Sequence, residues 1–116
     1  MTSGWRTQRL GELVARELAG LLLRDLKDPR LRGVTITEAR MGPDLRHCRV
    51  FFSHLEGPQR GQEALQGFAS AAGFIRSHIS HALKLRYAPE FQFELDVTFD
   101  RAARIDQLLR ESRNRG

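Results

Sequence analysis

A single cysteine, Cys48, stands in a chain of 116 residues. One thiol can build neither a disulfide framework nor a zinc cluster of several thiolates. Its neighbours Arg46, His47, Arg49 and Val50 read as a strand, where a catalytic thiolate would want a nearby histidine or a helix N-terminus. Cys48 is therefore expected to be a buried or half-buried structural residue. Long apolar runs are also missing. The longest, Leu18 to Leu23, is closed by Arg24 and Asp25, far short of the ~20 residues a membrane helix requires. Met-Thr-Ser-Gly-Trp-Arg at the start has no apolar signal segment, so a cytoplasmic protein with no membrane partner is expected.

The chemistry of catalysis is equally sparse. No glycine-rich phosphate loop, serine nucleophile elbow or dinucleotide fingerprint occurs. Of His47, His54, His78 and His81, only His78 and His81 form a local pair, and no acidic third ligand stands near them. Glu94 and Asp96 share a strand face beside Thr98, and Glu12 and Glu17 read as helix-surface charges. No metal, no cofactor and no enzymatic activity are expected.

Positive charge is what the chain has. Nineteen Lys+Arg against 14 Asp+Glu give a formal charge of +5, and seventeen of those cations are arginine, whose planar fork suits bidentate phosphate contacts. Residues 1 to 49 hold ten basic and six acidic groups, 50 to 89 four and two, and 90 to 116 five and six, so the excess lies in the first three-quarters. A small basic chain without a membrane segment points to polyanions, nucleic acid foremost.

At 13.3 kDa there is room for one domain, 1–116, and no second core. Over residues 5 to 26, Leu10, Leu13, Val14, Leu18, Leu21, Leu22 and Leu26 recur at helical spacing, with Arg6, Arg9 and Arg16 on the opposite arc and Arg24 at its edge. Asp28-Pro29 ends that helix, and Arg30 to Gly33 is a connector. Val34 to Met41 and Cys48 to His54 alternate as strands around turn residues 42 to 45, predicting a hairpin. After a polar connector, Ala64, Leu65, Phe68, Ala69 and Ala72 mark a short helix. Phe74, Ile75, Ile79, Ala82 and Leu83 mark a second, closed by Pro89. The small residues Ala71-Ala72-Gly73 predict a kinked joint between the two, with Gly73 in a conformation that a Cβ would penalise. Phe91, Phe93, Leu95 and Val97 form a third strand. Ala102, Ile105, Leu108 and Leu109 suggest a last helix, and about 111–116 reads as frayed. The order predicts an α+β fold, a three-stranded sheet covered by helices.

Several of these runs together resemble bacterial ribosome-binding factor A: Ala71-Ala72-Gly73-Phe74-Ile75-Arg76, then Leu83-Lys84-Leu85-Arg86, then Pro89-Glu90-Phe91-Gln92-Phe93 and Asp96. Supporting pieces run along nearly the whole chain, from Arg9-Leu10 and Asp28-Pro29-Arg30 through Val34-Thr35-Ile36 and Asp44-Leu45 to Ile105, Leu108 and Leu109. The resemblance implies a single type II KH-like domain in which an Ala-x-Gly interhelical kink, here Ala71-Ala72-Gly73, replaces the GxxG loop. It further implies a non-enzymatic assembly factor, a monomeric binder of the free small (30S) ribosomal subunit. Such a factor assists late maturation and processing of the 16S ribosomal RNA near its 5′ region and matters most in the cold. Some members carry a long basic tail beyond the last helix, and no role of such a tail is expected for a sequence that stops at Gly116.

Without GxxG, RNA contacts should lean on basic side chains and shape. Arg76, Lys84 and Arg86, with the Arg6, Arg9 and Arg16 stripe and hairpin Arg46, are the expected RNA-facing patch, with Gly73 and His81 beside them. Of the aromatic residues, Phe52, Phe68, Phe91 and Phe93 alternate with or face polar residues and are expected in the core, not as base-stacking platforms. The residues by themselves leave a rival from another class, a protein-interaction module using a strand edge or the kinked helices with charge serving solubility, and behind it a third reading, a small enzyme.

Overall fold

The computed structural model describes residues 2–96 of the chain. The expected end of the third strand, the last helix and the frayed terminus lie outside them. Helix α1 spans Thr2–Arg24. It ends where the amides of Asp25 and Leu26 both reach back to the Leu21 carbonyl, five residues before Pro29 could break it. Val14, Leu18 and Leu21 on its apolar stripe are fully buried, with Leu10, Leu22 and Leu26 packed at the margin. At Gly11 the helix lies so close to the Ala39 carbonyl that a Cβ would overlap it, which fixes how tightly α1 sits on the sheet.

A 3-10 turn, Pro29–Leu31, fills the predicted connector. The Asp28 carboxylate caps it by accepting from the Arg30 amide at 2.9 Å, and Arg30 also donates to Ser70 across the fold. Strands β1 (Val34–Met41) and β2 (His47–His54) pair antiparallel around the predicted turn, and β3 (Glu90–Leu95) pairs parallel to β2, giving the order β1-β2-β3. Period-2 alternation sorts β2 and β3, and a register shift between Ile36 and Glu38 brings β1 back onto the same face. Met41, Ala39 and Ile36 oppose Cys48, Val50 and Phe52, which in turn oppose Phe91, Phe93 and Leu95. That face meets the helices. Phe52 and Phe68 are wholly buried, and Phe93 stacks on Phe68 at 4.2 Å, so the four phenylalanines assigned to the core are there. Cys48 is buried as expected, and burial pushes its thiol up to about 11.

The region between β2 and β3 corrects the sequence reading. In place of two helices meeting at a joint there is one helix, α2, over Pro58–Ala82, and Ala71-Ala72-Gly73 lies inside it. Gly73 has no positive φ, and a Cβ there would meet nothing within 4 Å, so the expected penalty on a side chain is absent. A parallel β2–β3 pair needs a crossover, and an unbroken α2 supplies it. Nor does Pro89 close the helix, which stops several residues earlier. The Lys84 amide bonds back to the His81 carbonyl and Leu85 to Ser80, with Lys84 itself at φ 52. This is the left-handed C-terminal turn that glycine usually occupies, here taken by a lysine. Pro89 is instead buried at the entry to β3. Phe74, Ala69, Ala72 and Ala82, assigned to apolar faces, are exposed, because only one side of α2 meets the sheet.

Candidate functional site

The loop from Leu83 to Pro89 runs from the end of α2 to the start of β3, and one backbone bond decides what it faces. The Glu90 amide donates to the Arg46 carbonyl at 2.8 Å, pinning the β3 entrance beside the β1–β2 turn. Arg46 itself is held at the turn because its amide donates to the Asp44 carboxylate, a bond that keeps Asp44 below the usual carboxylate range. The result is a cluster. The Arg46 guanidinium lies 4.9 Å from the centre of the Tyr87 ring and that of Arg86 lies 5.5 Å from it, both within cation–π range. Tyr87 is 49% exposed. Among the described residues neither guanidinium has a carboxylate partner.

Arg76 joins from α2. Its Nε and Nη2 donate to the Ala88 carbonyl at 3.2 and 2.9 Å, which orders the side chain while leaving other N–H donors for an external acceptor. A cavity of about 380 Å³ is lined by Arg46, His47, Arg76, Tyr87, Ala88 and Glu90. A second, of about 310 Å³, continues past Arg76 to Ala72, Gly73 and Phe91. Glu90 belongs to both and sets a negative charge against the three arginines, so the patch is basic on balance, not uniformly.

The structure therefore brings Arg46, Arg76, Arg86 and Gly73 together, with Lys84 exposed at the adjoining helix end and His81 in the last turn, its Nδ1 3.0 Å from the Ser77 carbonyl. It does not bring in the α1 stripe: Arg6, Arg9 and Arg16 are exposed, but no α1 residue lines either cavity. Nor do His78 and His81 act as a pair, since His78 turns to α1 and sits 3.0 Å from Glu17. Sequence reasoning missed Tyr87. Its signal was available: the chain's one tyrosine follows an arginine directly, in a loop between a basic helix end and a strand. The largest of these cavities, about 580 Å³, lies where α1 crosses β1. Its ionic groups are Glu12 with Glu38 and Arg40, the last two paired at 3.0 Å, which leaves no charge for a polyanion.

Residues 6–109 match the family model described as ribosome-binding factor A. A relative named ribosome-binding factor A from Syntrophus aciditrophicus is 40% identical over 111 residues, covering 96% of this chain and 90% of its own. The crystal structure of ribosome-binding factor A from Thermus thermophilus superposes with a TM-score of 0.58 at 21% identity, over 75% of this chain and 88% of that one. A homology model of the Thermus thermophilus factor, fitted into the cryo-EM map of a complex with the 30S subunit, gives a TM-score of 0.55 at 22% identity, over 75% and 87%. The matches span most of both chains, and the fold is the α+β arrangement the sequence predicted: the chain belongs to the ribosome-binding factor A family.

Proposed function

We propose that this protein is a non-enzymatic ribosome assembly factor that docks, as a monomer, on the ribosomal RNA of the free small subunit. On this reading it assists late maturation of the 16S RNA near its 5′ region, with greatest importance in the cold. The observation that carries the reading is the convergence of Arg46, Arg76 and Arg86 around Tyr87 without carboxylate partners. An arginine whose charge is already paired offers little to an incoming phosphate, whereas an ordered, unpaired fork can form charge-assisted bonds at once. Two relationships support the choice of RNA and of subunit: family membership, and the 30S complex in which the Thermus thermophilus relative was placed.

Lys84 extends the patch at a measurable intrinsic penalty. A non-glycine residue in the left-handed region is disfavoured by roughly 1 kcal/mol, so a lysine there fits a role in which its charge matters more than backbone comfort. Gly73 contributes differently. It is exposed with open space above it, which lets a polymer backbone approach α2 more closely than any side chain would allow. The Arg6, Arg9 and Arg16 stripe then serves as a separate, weaker electrostatic surface.

The test is co-sedimentation with purified small subunits, set against large subunits and whole ribosomes, with Arg76→Glu/Lys84→Glu as the comparison variant. Binding selective for free small subunits, lost in the variant and weakened by salt, is expected. Equal binding by the variant with an unchanged thermal midpoint would remove this face from the interface and favour the α1 stripe.

A further inference from the structure

Tyr87 is the residue of this face whose chemistry phosphate binding does not use. A phenol ring that is half exposed, in a loop pinned at both ends and flanked by two unpaired guanidinium groups, is more than an electrostatic feature. Every other ring of the described chain that faces charge is differently placed. Phe51 has two arginines near it, but both are tied to carboxylates, and Phe74 is stacked over His78 on α2. Among the described residues, Tyr87 is the ring that has guanidinium groups within cation–π range and not tied to a carboxylate; Trp5, more exposed, has no such contact.

The geometry points to Tyr87 as a stacking seat for one unpaired nucleotide, with Arg46 and Arg86 taking the phosphates that flank it. The inference rests on the RNA-docking reading and adds the class of RNA: an unpaired strand, bulge or end, not a regular duplex. The reason is steric and electronic together. In a duplex the base faces are covered by their neighbours, and only backbone and groove edges are offered to a protein, so an aromatic ring has nothing to stack on. In an unpaired segment the base can lie against the ring, as an aromatic platform requires. Arg86, the more distant of the two guanidinium groups and exposed at the loop, is the one a base would displace, and its fork then falls to the adjacent phosphate. Arg46, whose backbone is fixed in its turn and whose guanidinium lies nearer the ring, is the one that stays against it. Gly73 and Ala72, in the cavity that continues beyond Arg76, give the strand a path away from the seat.

The experiment compares a short unstructured single-stranded RNA with a blunt RNA duplex of equal length, each titrated with the full chain and with Tyr87→Phe, Tyr87→Leu and Arg46→Gln/Arg86→Gln variants. Expected is preference for the single strand, retention within about twofold in Tyr87→Phe, and loss of about tenfold in Tyr87→Leu. Tyr87→Leu keeps apolar bulk, so an unchanged thermal midpoint assigns its loss to stacking. The Arg46→Gln/Arg86→Gln variant should flatten the salt dependence on the single strand by a slope of about 1.4 for two phosphates. Ring-proton signals of Tyr87 should move upfield with the single strand only. A duplex bound as tightly as the strand, or Tyr87→Leu binding the strand like the parent, overturns the stacking seat. Small-subunit co-sedimentation that survives such a result leaves the docking reading standing. Stacking by a protein that never sediments with small subunits would overturn that reading and leave the seat in place.

Discussion

Two clusters on this molecule have the same parts and opposite electrostatics. On the open face of the sheet, Arg40 and Arg49 lie 5.4 and 5.0 Å from the Phe51 ring; at the end of α2, Arg46 and Arg86 lie 4.9 and 5.5 Å from Tyr87. The first pair is neutralised in place. Arg40 donates to Glu38 at 3.0 Å, and Arg49 grips both oxygens of Glu94 at 2.7 and 3.0 Å, which holds Glu94 below the usual carboxylate range. The second pair has no such partners among the described residues. Proximity of arginine to an aromatic ring is therefore not what marks a binding face. What distinguishes the two is whether the fork is already occupied, and strand register decides that: Arg49 opposes Gln92, two residues from Glu94 and on the same face, whereas Arg46 sits in a turn outside the ladder.

The comparison fails first if the rings themselves are misassigned, and stability tells them apart. Phe93 stacks on Phe68 in the core, and its replacement by Ala should cost about 3 kcal/mol in urea unfolding. Tyr87→Ala, at a half-exposed ring, should cost under about 1 kcal/mol. Similar losses for the two would mean that Tyr87 is a packing residue and that the binding face has been misread.

Next comes the charge contrast itself. Arg46→Gln/Arg86→Gln should weaken small-subunit binding by about thirtyfold, roughly 2 kcal/mol, as removal of two charge-assisted contacts requires. Arg40→Gln/Arg49→Gln should change it by less than about threefold, because those forks are spoken for by carboxylates. Equal losses in the two variants would show that net charge alone drives docking.

How much of this was legible in the sequence follows from what each signal depends on. Strand and helix positions are local, set by period and by turn residues, and Val34 to Met41 was placed without error because the turn residues Gly42-Pro43 end the strand. Which arginines meet is not local. Arg46 and Tyr87 are brought together by a parallel pairing of β3 with β2, and no alternation along one strand reveals whether its neighbour runs parallel or antiparallel. The joint at Gly73 was misread for a related reason. Small residues permit a break without requiring one, and α2 runs through them unbroken.

That correction makes Gly73→Ala informative, since its two readouts should move in opposite directions. Gly73 is exposed inside α2 with room for a methyl group, so Ala should raise stability by up to about 1 kcal/mol, seen as a higher thermal midpoint. If an RNA backbone passes over α2 there, the same methyl group should weaken small-subunit binding severalfold. A stabilised variant that binds like the parent would take Gly73 out of the contact surface and confine the site to the Tyr87 cluster.

Acid should produce the weakest effect, and its sign separates the clusters once more. A carboxyl whose pKa is lowered by folding binds its proton less readily in the native state than in the unfolded one. The stability it contributes is present above its unfolded value and is lost as pH falls through the lower, native value. Glu94 is in this position because Arg49 donates to it, and so are Asp28, through its side-chain bond with Arg30, and Asp44, through the Arg46 amide. Stability should therefore hold from neutral pH down to the ordinary carboxylate range near pH 4 and decline below it. All three groups are at least partly exposed, so each contributes little and salt weakens it further. Glu94→Gln isolates one of them: it should flatten the acid limb of the urea midpoint while leaving the neutral-pH affinity for small subunits close to that of the parent. Were Glu94→Gln instead to strengthen binding at neutral pH by as much as Arg46→Gln/Arg86→Gln weakens it, the freed Arg49 would be acting on RNA. The sheet face would then be a second docking surface, held silent only by its carboxylates.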